Sequence, residues 1–514
     1  MTNGLVRGGW VVVTGRGGDL EVIEDGAVYH EDGAIQQVGR FDELGARHPG
    51  VATLGSREHI VLPGFVNAHH HAFVPSIYQQ CSRDDALEAW LLDFFWRPIL
   101  DPYRTTLHSA LTLLESGITT VLHCHYSKGS EGQYEDDTAR AIAGYRDAGI
   151  RVSFGPEITD RPSWVYERHG EFVQSLPEHL QRAVRSFSAG DEKRVTPAAY
   201  LRLFEKWARQ SPSERVRLIL RPVVPHYCSD TLLRDMKDLA RSLGAGIHIN
   251  IYETMFQRMF AQRLYGGSVI RHLDRLGFLD RRVSCAHGVW LDDEDLATLA
   301  ATGAAVVSNP SSNLRLSSGI APVVPMMRRG IPVAVGIDAL GINDDDDMLQ
   351  EMRLAAMLHR LPGRSAGRLS TEEVFLMATR HGARATFWED EIGAIEPGRR
   401  ADLVLLRAPD LFHPFRAPRV SLLEDLLQRG RRSHVDSVLV DGEEVVRHGR
   451  ALRASREDLT RELADEYQRG VNVNAARVAD RRQICEELKK HLDQYYQAWG
   501  EPAGQPYYRY NRRG

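Results

Sequence analysis

Between about residues 63 and 390 the chain alternates short apolar, strand-like runs with longer helix-like runs, and that rhythm narrows the folds open to it. The strand-like runs begin with "HIVLPGFVNAHHH" and continue through "GITTVLHC", "IRVSFG", "RLILRPVV", "GIHINI", "VSCAHG", "AAVVSN" and "IPVAVGID". Helical patterns such as "DLATLAATG" and "DMLQEMRLAAMLHRL" lie between them. Strict alternation implies parallel pairing, because each strand must return through a crossover helix before the next can lie beside it. Eight strands is the number that closes a barrel, and barrel sites lie where the strands end.

The two flanks have a different texture. Residues 1–62 and 392–455 carry short apolar runs broken by Gly and Asp turns, as in "WVVVTGRGGDLEVIEDGAVYHEDGAIQQVG" and "VDSVLVDGEEVVRHGRAL". Matching β-rich ends around a long middle predict one small β domain made from both, with the barrel over 63–391. Residues 456–514 read as a helical extension with an aromatic end, "HLDQYYQAWGEPAGQPYYRYNRRG", expected to dock on its own subunit or on a neighbour. Residues 77–100, rich in aromatics, form either a lid or an ordinary helix packed on the barrel, and 159–213 make a long excursion after the third strand. The run "DDDD" at 344–347 supplies either a helix cap and a negative first turn or a second cation site.

Composition excludes several classes of function. The chain has 514 residues, 43% hydrophobic and 26% charged, with a net charge of −5. Neither nucleic acid nor an anionic membrane is expected as a partner. Five scattered cysteines with no C-x-x-C spacing point to reduced thiols and a cytoplasmic setting. No signal peptide or membrane span is expected, since no run of about 18 apolar residues occurs.

The strongest chemical signal is "PGFVNAHHHA", residues 63–72. Side chains alternate along a strand, so His69 and His71 point one way and His70 the other. Two imidazoles on one face at a strand end can share a divalent metal.

With "HINIYET", "AHGVWLDDEDL", "SNPSSNLRLSSGIAP", "VGIDALGINDDDDMLQEMRLA" and "IGAIEPGRRADLVLL" following in order, the chain resembles the amidohydrolase superfamily, in its cyclic-amidine deaminase and chlorohydrolase branch. The resemblance covers nearly all of residues 1–455. It implies a distorted (β/α)8 TIM barrel with a β-sandwich built from both termini, in agreement with the strand count. It also implies one divalent metal, zinc as first choice and iron as second, held by His69, His71, the position of Asn250, and Asp338. Glu253 then corresponds to the proton shuttle and His287 to the group that polarises the electrophile, with Asp338 also accepting a proton from water. A metal with one open position brings the pKa of its water toward neutrality, so that hydroxide can attack an sp² carbon and ammonia or an amine can leave.

Two positions depart from the family pattern. Ser308, in "VVSNP", stands where a histidine is usual, and Asn250, in "GIHINIYET", stands where the strand-five ligand belongs. His248 shares the inward face but lies about 6.6 Å along the strand, so it could ligate only a shifted metal. Asn250 itself could offer an amide oxygen, a weaker ligand than imidazole for zinc or iron, or a hydrogen bond to bound water. Two histidines and a carboxylate still suffice for a mononuclear site, though a more labile one. Asn250→His is therefore expected to tighten metal binding.

His123, His125 and His226 sit at expected strand ends and are candidate substrate contacts, as are Arg315 and Trp90 or Trp96. The expected function is hydrolysis of a C–N bond in a small cyclic amidine, guanidine-like or heteroaromatic molecule, foremost deamination, by a homo-oligomer, foremost a dimer. Halide or cyclic amide hydrolysis in the same site, or a degenerate binding or scaffold role, are the alternatives.

Overall fold

The tripeptide Pro63-Gly64-Phe65 separates the two sheets of the protein. In the computed structural model, which describes residues 3–14, 19–127, 129–161, 164–188, 194–210, 213–360 and 367–501, strand β4 (Thr53–Pro63) ends at this point and β5 (Phe65–His70) begins. A side chain at Gly64 would overlap Thr119, so only glycine fits this close passage. The run "HIVLPGFVNAHHH", expected to be one barrel strand, is thus two strands in different sheets. Its apolar character is continuous because both halves are buried, which hides the break from a pattern reading.

The barrel comprises β5, β6 (Ile118–His125), β7 (Arg151–Ile158), β8 (Val216–Pro222), β9 (Gly246–Ile251), β10 (Val283–His287), β11 (Ala305–Ser308) and β12 (Val333–Val335). They pair in parallel in sequence order. Closure between β12 and β5 is made by side chain and backbone together: the Asp338 N–H donates to His69 O at 2.8 Å, and the Ile337 N–H to Asn67 Oδ1 at 3.0 Å. These contacts place Asp338 against the histidine run.

The second sheet is mixed and draws on both ends of the chain. It joins β1 (Asn3–Thr14), β2 (Leu20–Glu31), β3 (Ala34–Arg40) and β4 to β13 (Leu403–Arg407), β14 (Val435–Val440), β15 (Glu443–Arg447) and β16 (Arg450–Ala451). β13 runs antiparallel to β4, which stitches the C-terminal strands onto the N-terminal ones. Arg151, buried on β7, crosses to this sheet with Nε and Nη2 each 3.1 Å from Asp402.

The extension docks on its own subunit. Helix Arg456–Val473 packs along helix Pro102–Glu115, where Arg104 pairs with Glu466 at 2.8 Å. Helix Ala475–Gln497 buries Cys485, Leu488, Leu492 and Tyr496 against Leu92, Trp96 and Tyr166 of the excursions. The last thirteen residues, with the end of the aromatic tail, lie outside the described residues. In the acidic run, Asp347 caps helix Met348–Leu358, accepting from the N–H groups of Leu349 and Gln350 at 3.0 and 3.2 Å. Among the described residues, no helix is long and apolar enough to cross a membrane.

Candidate metal centre

His69 and His71 leave the end of β5 on one side, as the strand period requires, while His70 turns away to Ser109 at 2.7 Å. Asp338 follows β12 in a left-handed conformation, φ 61°, which swings its carboxylate over the barrel mouth. Its Oδ1 stands 3.3 Å from Nε2 of both His69 and His71. Donors about 2.1 Å from one ion at tetrahedral angles stand about 3.4 Å apart, so Asp338 Oδ1 has that spacing to each of the two imidazoles, and His69, His287 and Asp338 also form a group whose possible donor atoms lie within 4.8 Å of one another. His69 Nε2 is buried with no hydrogen-bond partner, an arrangement that a coordinated ion would satisfy.

The rest of His69 explains its orientation. Its Nδ1 lies 2.7 Å from His248 Nε2, and His248 Nδ1 lies 2.6 Å from Ser284 Oγ. With His69 Nδ1–H donating to His248 and His248 Nδ1–H to Ser284, His69 Nε2 keeps its lone pair. Burial lowers the pKa of His69 to about 3, which keeps the ring neutral. Cys124 Sγ approaches the same Nδ1 at 3.5 Å, and burial raises that thiol to about 12. His248 therefore supports a donor of the cluster from behind. On the other side, Ser312 Oγ donates to Asp338 Oδ2 at 2.7 Å and leaves Oδ1 facing the histidines.

Glu253 and His287 face each other beside this cluster. His287 ends β10 at φ 70°, and its Nδ1 lies 3.0 Å from Asn313 Oδ1. Nε2 is otherwise unpartnered and stands 3.6 Å from Glu253 Oε2. Burial, with the carboxylates of Asp338 and Glu88 nearby, pushes the Glu253 pKa well above the ordinary glutamate value. Burial also lowers His287. Both shifts favour the uncharged forms of the acid and the imidazole in this corner of the site.

Asn250 is engaged by a residue that sequence reasoning passed over. Arg221, fully buried on β8, donates from Nη2 to Asn250 Oδ1 at 2.7 Å and from Nε to Cys124 Sγ at 3.1 Å. Nη1 donates to the carbonyls of Pro222 and Val223, each at 2.8 Å, and Glu157 lies 3.5 Å from Nη2. The signal was present in "RLILRPVV", where an arginine interrupts an apolar barrel strand.

A cavity opens above these groups, lined by His71, Arg221, Asn250, Glu253, His287 and Asp338 at its floor. Trp90 and His226 are in its wall, together with Trp164, Tyr166 and Tyr496, which sequence reasoning did not single out. Residues 77–100 supply much of this wall through Leu87–Trp90 and Leu91–Phe95, so the segment covers the barrel mouth. Two other candidates lie apart from it. His125 packs against His123 and Phe154, and Arg315 is held by Asp84 and Asp344 at 2.9 and 2.5 Å.

A parallel barrel with this donor cluster on its C-terminal rim defines a class, the barrel hydrolase with a candidate metal centre. The chain belongs to the amidohydrolase family, whose model matches residues 60–445. It is 31% identical to a 5-methylthioadenosine/S-adenosylhomocysteine deaminase of Syntrophomonas wolfei, over 84% of this chain and 90% of the relative. It is 28% identical to a 5'-deoxyadenosine deaminase of Methanosarcina mazei, over 90% of this chain and 96% of the relative. An adenosine deaminase from Xanthomonas campestris, solved with bound zinc, has the same fold, with a TM-score of 0.75 at 24% identity over 90% of this chain and 98% of that one. The protein is accordingly a hydrolase acting on a C–N bond.

Proposed function

We propose that the protein deaminates a nucleoside carrying an adenine-type ring, replacing the exocyclic amine with oxygen and releasing ammonia. The observation that carries this is the approach of Asp338 Oδ1 to both His69 and His71, each at 3.3 Å, beside the Glu253–His287 pair, under an aromatic-walled cavity. The 28–31% identity to deaminases named for adenosine derivatives supports the substrate class. His69, His71 and Asp338 would hold one divalent ion, with zinc fitting a set of two imidazoles and one carboxylate. Such an ion, when bound, supplies Lewis acidity and activates water at neutral pH.

The chain's own groups would then divide the proton work. Burial disfavours the Asp338 carboxylate, but His69, His71 and His287 outweigh that and hold its pKa well below the ordinary aspartate value, so it enters the reaction ionised and able to accept a proton. Glu253, held protonated, can deliver one to the departing nitrogen. His287 Nε2 faces the point where charge develops at the ring. The aromatic wall, with Trp90 and Tyr166, excludes water and offers flat faces for a heterocycle.

The test is an assay of zinc-loaded protein against adenosine, 5'-deoxyadenosine, 5-methylthioadenosine, S-adenosylhomocysteine and a chlorinated triazine, reading ammonia, chloride and the ultraviolet shift of the ring. Ammonia from at least one nucleoside is expected. Chloride release alone would replace this reading with halide hydrolysis, and binding of nucleoside without turnover would replace it with a binding role.

A further inference from the structure

Arg221 is an unusual occupant of a barrel interior, and four of its five N–H groups are engaged by close hydrogen bonds. Nε goes to Cys124, Nη1 to two backbone carbonyls, and Nη2 to Asn250 with Glu157 beside it. Burial works against the charge, but the Glu157 carboxylate stands 3.5 Å from Nη2 and a guanidinium stays protonated in proteins. The side chain therefore contributes two things to the cavity floor: a fixed positive charge and a permanent claim on the Asn250 amide oxygen.

Both bear on a cation held nearby. Cys124 touches Arg221 on one side and His69 on the other, so the charge is one side chain away from the donor cluster. A guanidinium in a water-poor interior repels a second cation more than it would at the surface. An amide oxygen already accepting a charge-assisted hydrogen bond is also a poorer ligand.

We propose that Arg221 is a positioning residue that withholds Asn250 from the metal and places a positive charge beside it, so that the ion rests on His69, His71 and Asp338 alone and exchanges readily. This rests on the reading of those three residues as ligands. It also changes the expectation for Asn250→His: with Arg221 in place, an added imidazole meets a guanidinium and gains little.

The experiment measures zinc affinity of the full chain by competition with a chromogenic chelator, with melting temperature recorded for each variant. Asn250→Ala is expected to keep zinc affinity within about threefold, and Asn250→His likewise, whereas Arg221→Gln tightens it about tenfold and Arg221→Gln with Asn250→His tightens it further. A tenfold loss in Asn250→Ala would show that Asn250 ligates the ion and would overturn the proposal. So would a folded Arg221→Gln variant with unchanged or weaker affinity. A purely structural role for Arg221 predicts weaker binding on its removal, opposite in sign. His71→Ala separates the two levels: if it leaves zinc affinity unchanged, the ligand reading itself fails, whatever the Arg221 variants do.

Discussion

His69 Nδ1 and His248 Nε2 meet inside the barrel at 2.7 Å, and this bond determines which nitrogen of His69 remains free. Nitrogens so close cannot both ligate one ion at about 2.1 Å with open bond angles, so His248 acts through His69. His248→Ala is expected to lower zinc affinity by about 10- to 100-fold while leaving the folded structure in place. Chelator competition beside circular dichroism measures both, and unchanged affinity would sever His248 from the centre.

Glu253 is the group whose loss should stop turnover without emptying the site. Glu253→Gln keeps shape and hydrogen bonding but cannot release a proton. The expected result is a kcat lower by about 10²- to 10⁴-fold with zinc content unchanged. Loss of zinc together with activity would assign Glu253 to metal binding instead.

Tyr496 joins the extension to the cavity. It packs on Tyr166 and Phe256 at centroid distances of 5.6 and 4.5 Å and lies in the cavity wall, beyond the stretch matched by the family model. Tyr496→Ala is expected to raise KM for the preferred nucleoside about tenfold while changing kcat little. Steady-state kinetics decides it, and an unchanged KM would reduce the extension to a purely structural element.

Arg151 and Asp402 form a buried ion pair that spans the two sheets. Asp402→Ala removes one carboxylate and leaves Arg151 to Asp441 alone, at 2.6 Å. The expected loss is about 3 kcal/mol in urea unfolding, against less than about 1 kcal/mol for breaking an exposed pair such as Arg47–Glu43. Equal losses would show that the two sheets are not coupled through this bridge.

His108 should make the docking of the extension sensitive to acid. It bonds Thr460 through Nε2 at 2.8 Å, and burial, with the Arg456 charge adding to it, lowers its pKa to about 4. The unfolded histidine, near 6.5, binds a proton more readily than the folded one. Stability is therefore full above about pH 6.5 and declines as pH falls toward 4, by on the order of 2 kcal/mol at pH 5. His108→Gln should remove that share of the decline when urea midpoints at pH 7.5 and 5 are compared with those of the unaltered protein.

The barrel, the joining of the two chain ends into one β unit, and the histidine pair on one strand face were legible in the chain alone. Strand count and strand period are local properties, and the spacing in "NAHHH" needs no partner to be read: alternation alone puts His69 and His71 on one face. The aromatic excursion at 77–100 was legible as a segment, with a lid and an ordinary packed helix both open, and the fold sets it over the barrel mouth. What each polar group touches depends on the fold. Arg221 reaches Asn250 across 29 residues and His248 reaches His69 across 179, through side chains of different strands. Periodicity encodes which way a residue faces, but not which other residue lies opposite. The break at Gly64 escaped for a related reason, since burial on both sides makes two strands look like one. Asn250 shows the difference most clearly: its place in the chain marks a missing imidazole, and its neighbour in space shows that a guanidinium has taken up the oxygen that remained.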